Sequence, residues 1–373
     1  DRSASLVAWA ADGTHLFISE NYKTSHALLA LPSGNTMKLP KGDYLGYSDS
    51  KLPIITSTKG SSNAFSVSKA GRISYTFEDV NTPREVFTAG LTGGGAKKLS
   101  STNANFNPPP LGKTELITWK SKDGLPIEGL LTYPVNFETG KQYPIVLQIH
   151  GGPAGVFSQN YTGAPGIYMT QYFAQKGFIV LRPNPRGSSG YGKDFRYANV
   201  KDWGFGDYQD LMTGVDYVLT MGIADSKNQF VMGWSYGGYM TSWIVSQTNR
   251  FNAASMGAGL PNLISMVTTT DIPDYLVAHA GGKEFWEDYE EYEKHSAMYY
   301  FKNVVTPTQV IHGANDLRVP FTQGQEFYTA LKRKGVDTEM IVYPRTPHGP
   351  QEPKFLMDVS PRIMAWFEKY LKK

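Results

Sequence analysis

Short runs of alternating apolar and polar residues fill the first 107 positions of the chain. Residues 65–68 and 73–77 are two such runs, and turn-forming Gly, Asn, Asp and Ser lie between the runs. A period of two is typical of β-strands that bury one face, and closely spaced turns favour antiparallel pairing. This part of the chain is therefore predicted to be all-β.

The strand pattern repeats after roughly 45 to 60 residues, with about four strands in each unit. Repeats of this size are typical of β-propeller blades, in which each four-stranded sheet packs against its neighbours. Residues 1–107 are predicted to form a partial β-propeller of about two blades, which is too few to close a ring. The sheet edges left unpaired would be an aggregation liability unless something covers them.

The pattern changes after the proline-rich stretch 107–110, which is stiff and poor in hydrogen-bond donors. Strand-sized apolar runs then alternate with segments of helical period. The predicted strands cover residues 127–133, 145–149, 178–182, 230–234, 308–312 and 338–343. The predicted helices cover residues 168–175, 207–221, 238–247, 323–333 and 359–371. This alternation predicts an α/β domain over residues 108–373, with a doubly wound, mostly parallel sheet that binds ligands at the carboxyl ends of its strands.

Composition narrows the class of protein. With 40% hydrophobic and 18% charged residues, the chain has enough apolar side chains for a globular core. Its net charge of +3 does not favour a nucleic-acid or membrane partner, and no apolar run approaches the roughly 20 residues that span a bilayer. The lack of cysteine excludes a thiolate zinc site and a cysteine nucleophile. A soluble chain is expected; its start at Asp1 fits a processed or shortened chain, and the sequence leaves its compartment open.

A candidate nucleophile lies in the sequence Gly-Trp-Ser-Tyr-Gly-Gly at 233–238. The pattern G-x-S-x-G at a sharp strand-to-helix turn exposes the serine hydroxyl, and here an apolar strand precedes Ser235 and a helix-compatible segment follows it. A bare match also arises by chance in a chain with 38 glycines. The strand and helix around the match favour Ser235 as the nucleophile.

A serine hydroxyl needs a base, and the base needs a carboxylate that fixes its tautomer. His348 lies in a loop just after the predicted strand 338–343, and Asp316 lies in a turn after the predicted strand 308–312. The order Ser, Asp, His is that of α/β-hydrolases. We therefore assign His348 as the base and Asp316 as the acid, although an Asp in this position also forms turns or caps helices. The other histidines after the serine, at positions 279, 295 and 312, are interpreted as packing or surface residues.

The oxyanion of a tetrahedral intermediate needs two preorganised donors. One is assigned to the backbone N–H of Tyr236, which follows the nucleophile. The other is assigned to the N–H of Gly152 in the sequence His-Gly-Gly-Pro at 150–153, where consecutive glycines let the backbone approach a substrate. His150 is interpreted as structural, because donation there is a main-chain role.

Five motifs, taken together and in their order along the chain, resemble those of the prolyl oligopeptidase family of serine peptidases. The resemblance is strongest to its acylaminoacyl peptidases and bacterial dipeptidyl-peptidase-like enzymes. The motifs lie at residues 150–153, 184–192, 233–238, 312–320 and 347–349, and the resemblance covers about residues 115–373. It implies a triad of Ser235, Asp316 and His348 and no metal or organic cofactor. Arg186 in the Asn-Pro-Arg-Gly loop is interpreted mainly as an orienter of neighbouring loops, with substrate contact as the alternative. An aspartate at 207 or 210 is assigned to stabilisation of the first turn of a helix.

The resemblance implies a peptidase that releases an acylated amino acid or a dipeptide from the N-terminus of a short peptide. A carboxylesterase with the same triad is the first alternative, and a catalytically silent binding scaffold is the second. The family's propeller has about seven or eight blades, so this chain is either shortened or a fragment. The expected partners are therefore a short peptide substrate and either the missing blades, as a separate fragment or subunit, or a second copy of the chain.

Overall fold

The computed structural model describes residues 4–33 and 54–372, which fall into two compact units. The first unit consists of Asp1–Leu111 together with two later segments, Val156–Gly163 and Ser188–Tyr197. The second unit consists of the rest, Gly112–Gly155, Ala164–Gly187 and Ala198–Lys373. No helix in the described ranges is long and apolar enough to cross a membrane.

The N-terminal segment of the first unit forms a sheet of seven strands that neighbour one another in chain order. The strands are β1 (Ser5–Trp9), β2 (His15–Tyr22), β3 (Ser25–Pro32), β4 (Ser61–Val67), β5 (Arg72–Glu78), β6 (Glu85–Gly90) and β7 (Lys97–Lys98). Strands β1 to β3 pair antiparallel, as do β4 to β7, and a single parallel pair, His26 with Ser61, joins the two groups. The alternating pattern predicted this all-β region, and it appears as two antiparallel meanders.

The core of the first unit follows from the alternation of its strands. The apolar positions of β5, Ile73 and Tyr75, are buried and pack with Phe17 of β2 and Leu28 of β3. The later segments of this unit are fixed to it by backbone groups. Gln159 N donates to Thr24 O at 2.7 Å, for example.

The second unit contains an eight-stranded sheet in the order β15-β14-β13-β12-β10-β11-β9-β8. The strands are β8 (Thr114–Lys120), β9 (Pro126–Thr132), β10 (Tyr143–Ile149), β11 (Ile179–Asn184), β12 (Ala224–Trp234), β13 (Ala253–Gly257), β14 (Thr308–Gly313) and β15 (Met340–Tyr343). Strands β10 to β15 are parallel, while β9 and β8 add to one side as antiparallel strands. The predicted α/β architecture with a mostly parallel sheet is confirmed.

Helices connect the parallel strands. They are α1 (Thr170–Gln175), α2 (Lys193–Tyr197, in the first unit), α3 (Gly206–Thr220), α4 (Tyr236–Gln247), α5 (Leu263–Val267), α6 (Pro273–His279), α7 (Tyr289–Lys294), α8 (Phe321–Lys334) and α9 (Pro353–Glu368). The five predicted helices are present, although α9 begins six residues before the predicted start at 359. Strands β8 and β13 and the short helices α2 and α5 to α7 were not predicted from the sequence.

Helix α4 lies in the core of this unit, and its residues Tyr236 to Ser246 are all buried. A cluster of buried apolar side chains joins the sheet to α9, where Phe367 packs on Phe230 of β12 with ring centroids 4.9 Å apart. Burial of the end of β12 and of the start of α4 fixes the turn between them, and Ser235 lies in that turn.

Candidate active site

Ser235 is the single residue between the end of β12 at Trp234 and the start of α4 at Tyr236. Its backbone angles are φ 62° and ψ −123°, a left-handed conformation that non-glycine residues rarely adopt. The serine is held there by its own backbone, because its N–H donates to Gly257 O at 2.9 Å and its carbonyl accepts from Tyr239 N at 2.8 Å. This is the strained, outward-pointing geometry of a nucleophile elbow.

The two glycines that flank the serine are required by close packing. A Cβ atom on Gly233 would lie 2.3 Å from Gly237 O, and one on Gly237 would lie 2.0 Å from Ile149 O. Any side chain at either position would push β12, α4 and the end of β10 apart. The glycine positions of the motif therefore have a steric cause in this fold.

His348 lies in the loop after β15, and its Nε2 is 2.8 Å from Ser235 Oγ. The loop is tied to the elbow by a second contact, since Trp234 Nε1 donates to His348 O at 2.6 Å. The imidazole keeps 33% of its surface exposed. It is thus both fixed against the serine and open on one side.

Asp316 lies in the turn after β14, and its side chain is fully buried. Its two oxygens are 2.9 and 3.1 Å from His348 Nδ1. The backbone N–H groups of Arg318 and Val319 also donate to Oδ1, at 3.0 and 2.9 Å. Because a carboxylate only accepts, Nδ1 carries a proton and Nε2 of a neutral His348 faces the serine hydroxyl as an acceptor.

The His-Gly-Gly-Pro segment follows β10 and lies beside the serine. A Cβ atom on Gly151 would be 3.3 Å from Ser235 Cβ, and Gly152 has φ 129°, in the region that favours glycine. His150 is buried and its Nδ1 donates to Gly151 O at 2.8 Å. Burial lowers the pKa of His150 to about 4, so its ring is neutral and serves this turn.

The remaining candidate histidines are each held by a backbone carbonyl in the interior. His312 donates to Val319 O at 2.8 Å, His295 to Trp203 O at 2.6 Å and His279 to Tyr275 O at 2.9 Å. All three are buried. They pack as the sequence analysis expected, and none of these contacts involves Ser235.

Arg186 is engaged by carboxylates. Its Nε and Nη2 donate to the two oxygens of Asp210 at 2.9 and 2.8 Å, and Nη2 is also 2.9 Å from Asp123 Oδ2. Its backbone N–H donates to Asp210 as well. These contacts tie the loop after β11 to helix α3 and to the β8–β9 turn, which is the orienting role preferred for this residue.

Two residues near the elbow were missed as parts of the site. The hydroxyl of Tyr168 donates to Ile149 O at 2.6 Å and accepts from Trp234 N at 2.9 Å, so it links the ends of β10 and β12. Asp207 is fully buried and accepts a hydrogen bond from the phenol of Tyr236. Both contacts join residues far apart in sequence, and no local pattern signals them.

A serine elbow between a parallel strand and a helix, with its histidine and aspartate on loops after later strands, defines the α/β-hydrolase fold. The sequence profile of the prolyl oligopeptidase family matches residues 167–373, more than half of the chain, and the chain belongs to this family. The family resemblance expected from the five motifs is thereby confirmed.

Known relatives place the chain among the peptidases of this family. It is 35% identical to the uncharacterized peptidase YuxL of Bacillus subtilis over 298 residues, which are 78% of this chain and 44% of that protein. It is 28% identical to the acylamino-acid-releasing enzyme of Arabidopsis thaliana, with 98% of this chain and 49% of that protein covered. The solved structure of an acylaminoacyl peptidase in complex with Z-Gly-Gly-Phe-chloromethyl ketone is 26% identical, has a TM-score of 0.83, and covers 100% of this chain and 57% of the other. The chain spans about half the length of the curated relatives it matches.

Proposed function

We propose that this chain is a serine peptidase that cleaves short peptides near their N-terminus through an acyl-enzyme. The observation that carries the proposal is the unbroken hydrogen-bonded series from Ser235 Oγ through His348 to Asp316, at 2.8 and 2.9 Å. A serine in this arrangement loses its proton to the histidine as it attacks a carbonyl.

In this mechanism Ser235 Oγ forms a bond to the scissile carbonyl carbon while its proton moves to His348 Nε2. Asp316 stabilises the imidazolium that results. The carbonyl oxygen becomes an oxyanion held by the N–H groups of Gly152 and Tyr236, each worth roughly 3 to 4 kcal/mol in the transition state. The protonated His348 then gives its proton to the leaving amine as the C–N bond breaks and the acyl-enzyme forms. In the second half of the reaction His348 takes a proton from water as the water oxygen attacks the acyl carbon, and it returns that proton to Ser235 Oγ as the ester bond breaks and the acid leaves.

The substrate class is proposed from the relatives. One of them is named as an acylamino-acid-releasing enzyme, and one solved structure holds a blocked peptide chloromethyl ketone. We therefore expect release of an acylated amino acid, with release of a dipeptide as the second specificity. The chain covers 49% and 57% of these two proteins, so their specificity comes to this chain only as a proposal.

A substrate panel tests the proposal. We would compare kcat/KM for acyl-aminoacyl anilides, dipeptidyl anilides and short-chain esters, with Ser235→Ala as the blank, and label the folded protein with a fluorophosphonate. Anilide turnover together with labelling of Ser235 supports a peptidase. Turnover of esters alone makes the chain a carboxylesterase, and a folded protein that takes no label is a silent scaffold.

We also infer that a further β-sheet covers the outer edge of the first unit, supplied by another part of the same polypeptide or by a second subunit. Among the residues that the structure describes, β1 is an edge strand of the seven-stranded sheet, and its Leu6 and Trp9 are 65% and 60% exposed. Unpaired edges with large apolar side chains favour pairing with another strand. Intact mass and sedimentation of the natural protein test this, and a stable monomer of this chain alone would contradict it.

A further inference from the structure

Asp207 is a buried carboxylate whose oxygens are all engaged. It lies in the first turn of α3, where Oδ1 accepts from Gly204 N at 2.7 Å and from Tyr208 N at 2.8 Å. The other oxygen, Oδ2, accepts from the phenol of Tyr236. The backbone thus fixes the carboxylate, and the carboxylate in turn fixes the tyrosine.

Tyr236 is the first residue of α4 and directly follows the elbow serine. Its side chain is 1% exposed and lies between aromatic rings, with its centroid 5.1 Å from Trp203 and 5.7 Å from Tyr239. The phenol therefore reaches away from Ser235 to the start of α3, while the backbone N–H of the same residue is the oxyanion donor of the proposed mechanism. A tether on the side chain limits how the peptide unit between Ser235 and Tyr236 can rotate.

We propose that Asp207 is a positioning residue of the oxyanion hole, which acts through the Tyr236 phenol to fix the direction of the Tyr236 backbone N–H. The inference rests on the proposed function and deepens it. The rotation it prevents matters because Ser235 holds a strained conformation at φ 62°, from which a loosened elbow would relax. A donor moved away from the oxyanion loses stabilisation that acts only in the transition state.

The test uses Asp207→Asn, Tyr236→Phe and the double variant, all in the full chain. Each single variant should lower kcat by roughly 10- to 100-fold, short of the 10²- to 10³-fold cost of deleting an oxyanion donor outright. KM should stay within about twofold, because ground-state binding does not use the oxyanion hole. The double variant should be no worse than about the worse single variant, because both substitutions break the same hydrogen bond.

A peptide aldehyde gives a second readout. Ser235 adds to the aldehyde carbon, and the hemiacetal oxygen occupies the position of the oxyanion. The affinity for the aldehyde should fall by about the same factor as kcat in both variants. A general loss of stability would not lower the two quantities by the same factor.

Tyr239→Phe is the matched control. Tyr239 lies on α4 like Tyr236, is buried, packs its ring against Trp203 at a tilt, with centroids 5.4 Å apart, and donates its hydroxyl to His295 O at 2.9 Å. The substitution removes one phenol oxygen and one buried hydrogen bond, but it keeps the ring that packs beside Tyr236 and leaves the hydrogen bond between Asp207 and Tyr236 in place. It should lower stability by a comparable amount while kcat stays within about twofold.

The outcomes separate the two proposals. If the parent protein hydrolyses substrate and takes the fluorophosphonate label, and Tyr236→Phe keeps full kcat and aldehyde affinity, the positioning role is wrong and the peptidase stands. The positioning role is also wrong if the fold-loss of kcat in the double variant equals the product of the two single losses, since the two residues then act separately. If the parent protein takes no label, the proposed function fails and the inference falls with it. Should Asp207→Asn not fold, Tyr236→Phe alone decides the matter.

Discussion

The buried carboxyl of Asp207 should make the stability of the protein fall as the pH rises. Burial raises the pKa of Asp207 from 3.8 to about 7, and the neighbouring carboxylates of Asp202 and Asp210 add to the rise, while the hydrogen bond from Tyr236 opposes it. Between these two pH values the unfolded chain has released a proton that the folded chain still holds. Because Oδ1 accepts from two backbone N–H groups, this proton sits on Oδ2, and the protonated carboxyl donates to the Tyr236 phenol oxygen instead of accepting from it. Stability present below pH 3.8 is therefore lost progressively until the pH passes about 7.

The size of the effect follows from the shift. About three pH units at roughly 1.36 kcal/mol per unit give about 4 kcal/mol. This is a large fraction of the 5 to 15 kcal/mol, roughly, that stabilises a typical domain. Asp207→Asn removes the titrating group and keeps the shape of the side chain. The unfolding free energy of this variant therefore lacks the pH dependence due to Asp207 and keeps the pH dependence due to the other titrating groups.

Urea unfolding followed by tryptophan fluorescence, between pH 4 and pH 8, measures the difference. Relative to Asp207→Asn, the parent protein should lose up to about 4 kcal/mol across this range and level off above pH 7. Tyr239→Phe, which breaks a buried hydrogen bond of helix α4 without removing a carboxyl, should differ from the parent by a constant amount. A constant difference for Asp207→Asn would refute the reasoning, because the carboxyl would then not hold its proton in the folded state.

Three further substitutions test the site. Ser235→Ala should lower kcat by about a millionfold with unchanged thermal unfolding, and retention of most activity would point to another nucleophile. Asp316→Asn should lower kcat by on the order of 10⁴-fold, because the amide presents N–H to His348 Nδ1 and moves the ring proton to Nε2; a loss under tenfold would show that Asp316 does not set the tautomer. Gly237→Ala should abolish activity and cost several kcal/mol of unfolding free energy, because its Cβ would lie 2.0 Å from Ile149 O. Gly166→Ala, with no atom within 4 Å of the added Cβ, is its control and should change stability by less than about 0.5 kcal/mol.

The candidate site was predictable from sequence because parallel strands end at one edge of the sheet. Ser235 follows β12, Asp316 lies three residues after β14, and His348 lies five residues after β15. Each residue was found by its place after an apolar run, without knowledge of the strand order. The hydrogen bonds by which Tyr168 and Asp207 hold the site together were not predictable, because they join residues that meet only in the folded chain.

The boundaries of the first unit were also only partly predictable from the sequence. The proline-rich stretch 107–110 lies just before Leu111, where the main segment of this unit ends, and a change of pattern marked it. Segments Val156–Gly163 and Ser188–Tyr197 also belong to this unit, but they are loops and a short helix, and nothing in their sequence indicates that they pack with the N-terminal strands. Their membership comes from hydrogen bonds such as Lys23 N to Gly190 O at 2.8 Å.

Strand β13 was missed for a reason that also explains how the site is built. Its sequence, Ala-Ala-Ser-Met-Gly, has none of the β-branched or aromatic residues that favour strands. The neighbouring strands impose its conformation, and its small residues leave room for the elbow. A Cβ atom on Gly257 would lie 2.2 Å from the ring of Trp234, and Gly257 O accepts the Ser235 N–H.

Because β13 lies between β12 and β14, the strands that carry Ser235 and Asp316 are about 10 Å apart, two strand spacings. An imidazole between the two side chains spans that distance. The small residues of β13 give it a low strand propensity, which is why the sequence did not predict it. They also leave room for Trp234 to pack over the end of β13, where its ring N–H holds the loop of His348 between Ser235 and Asp316.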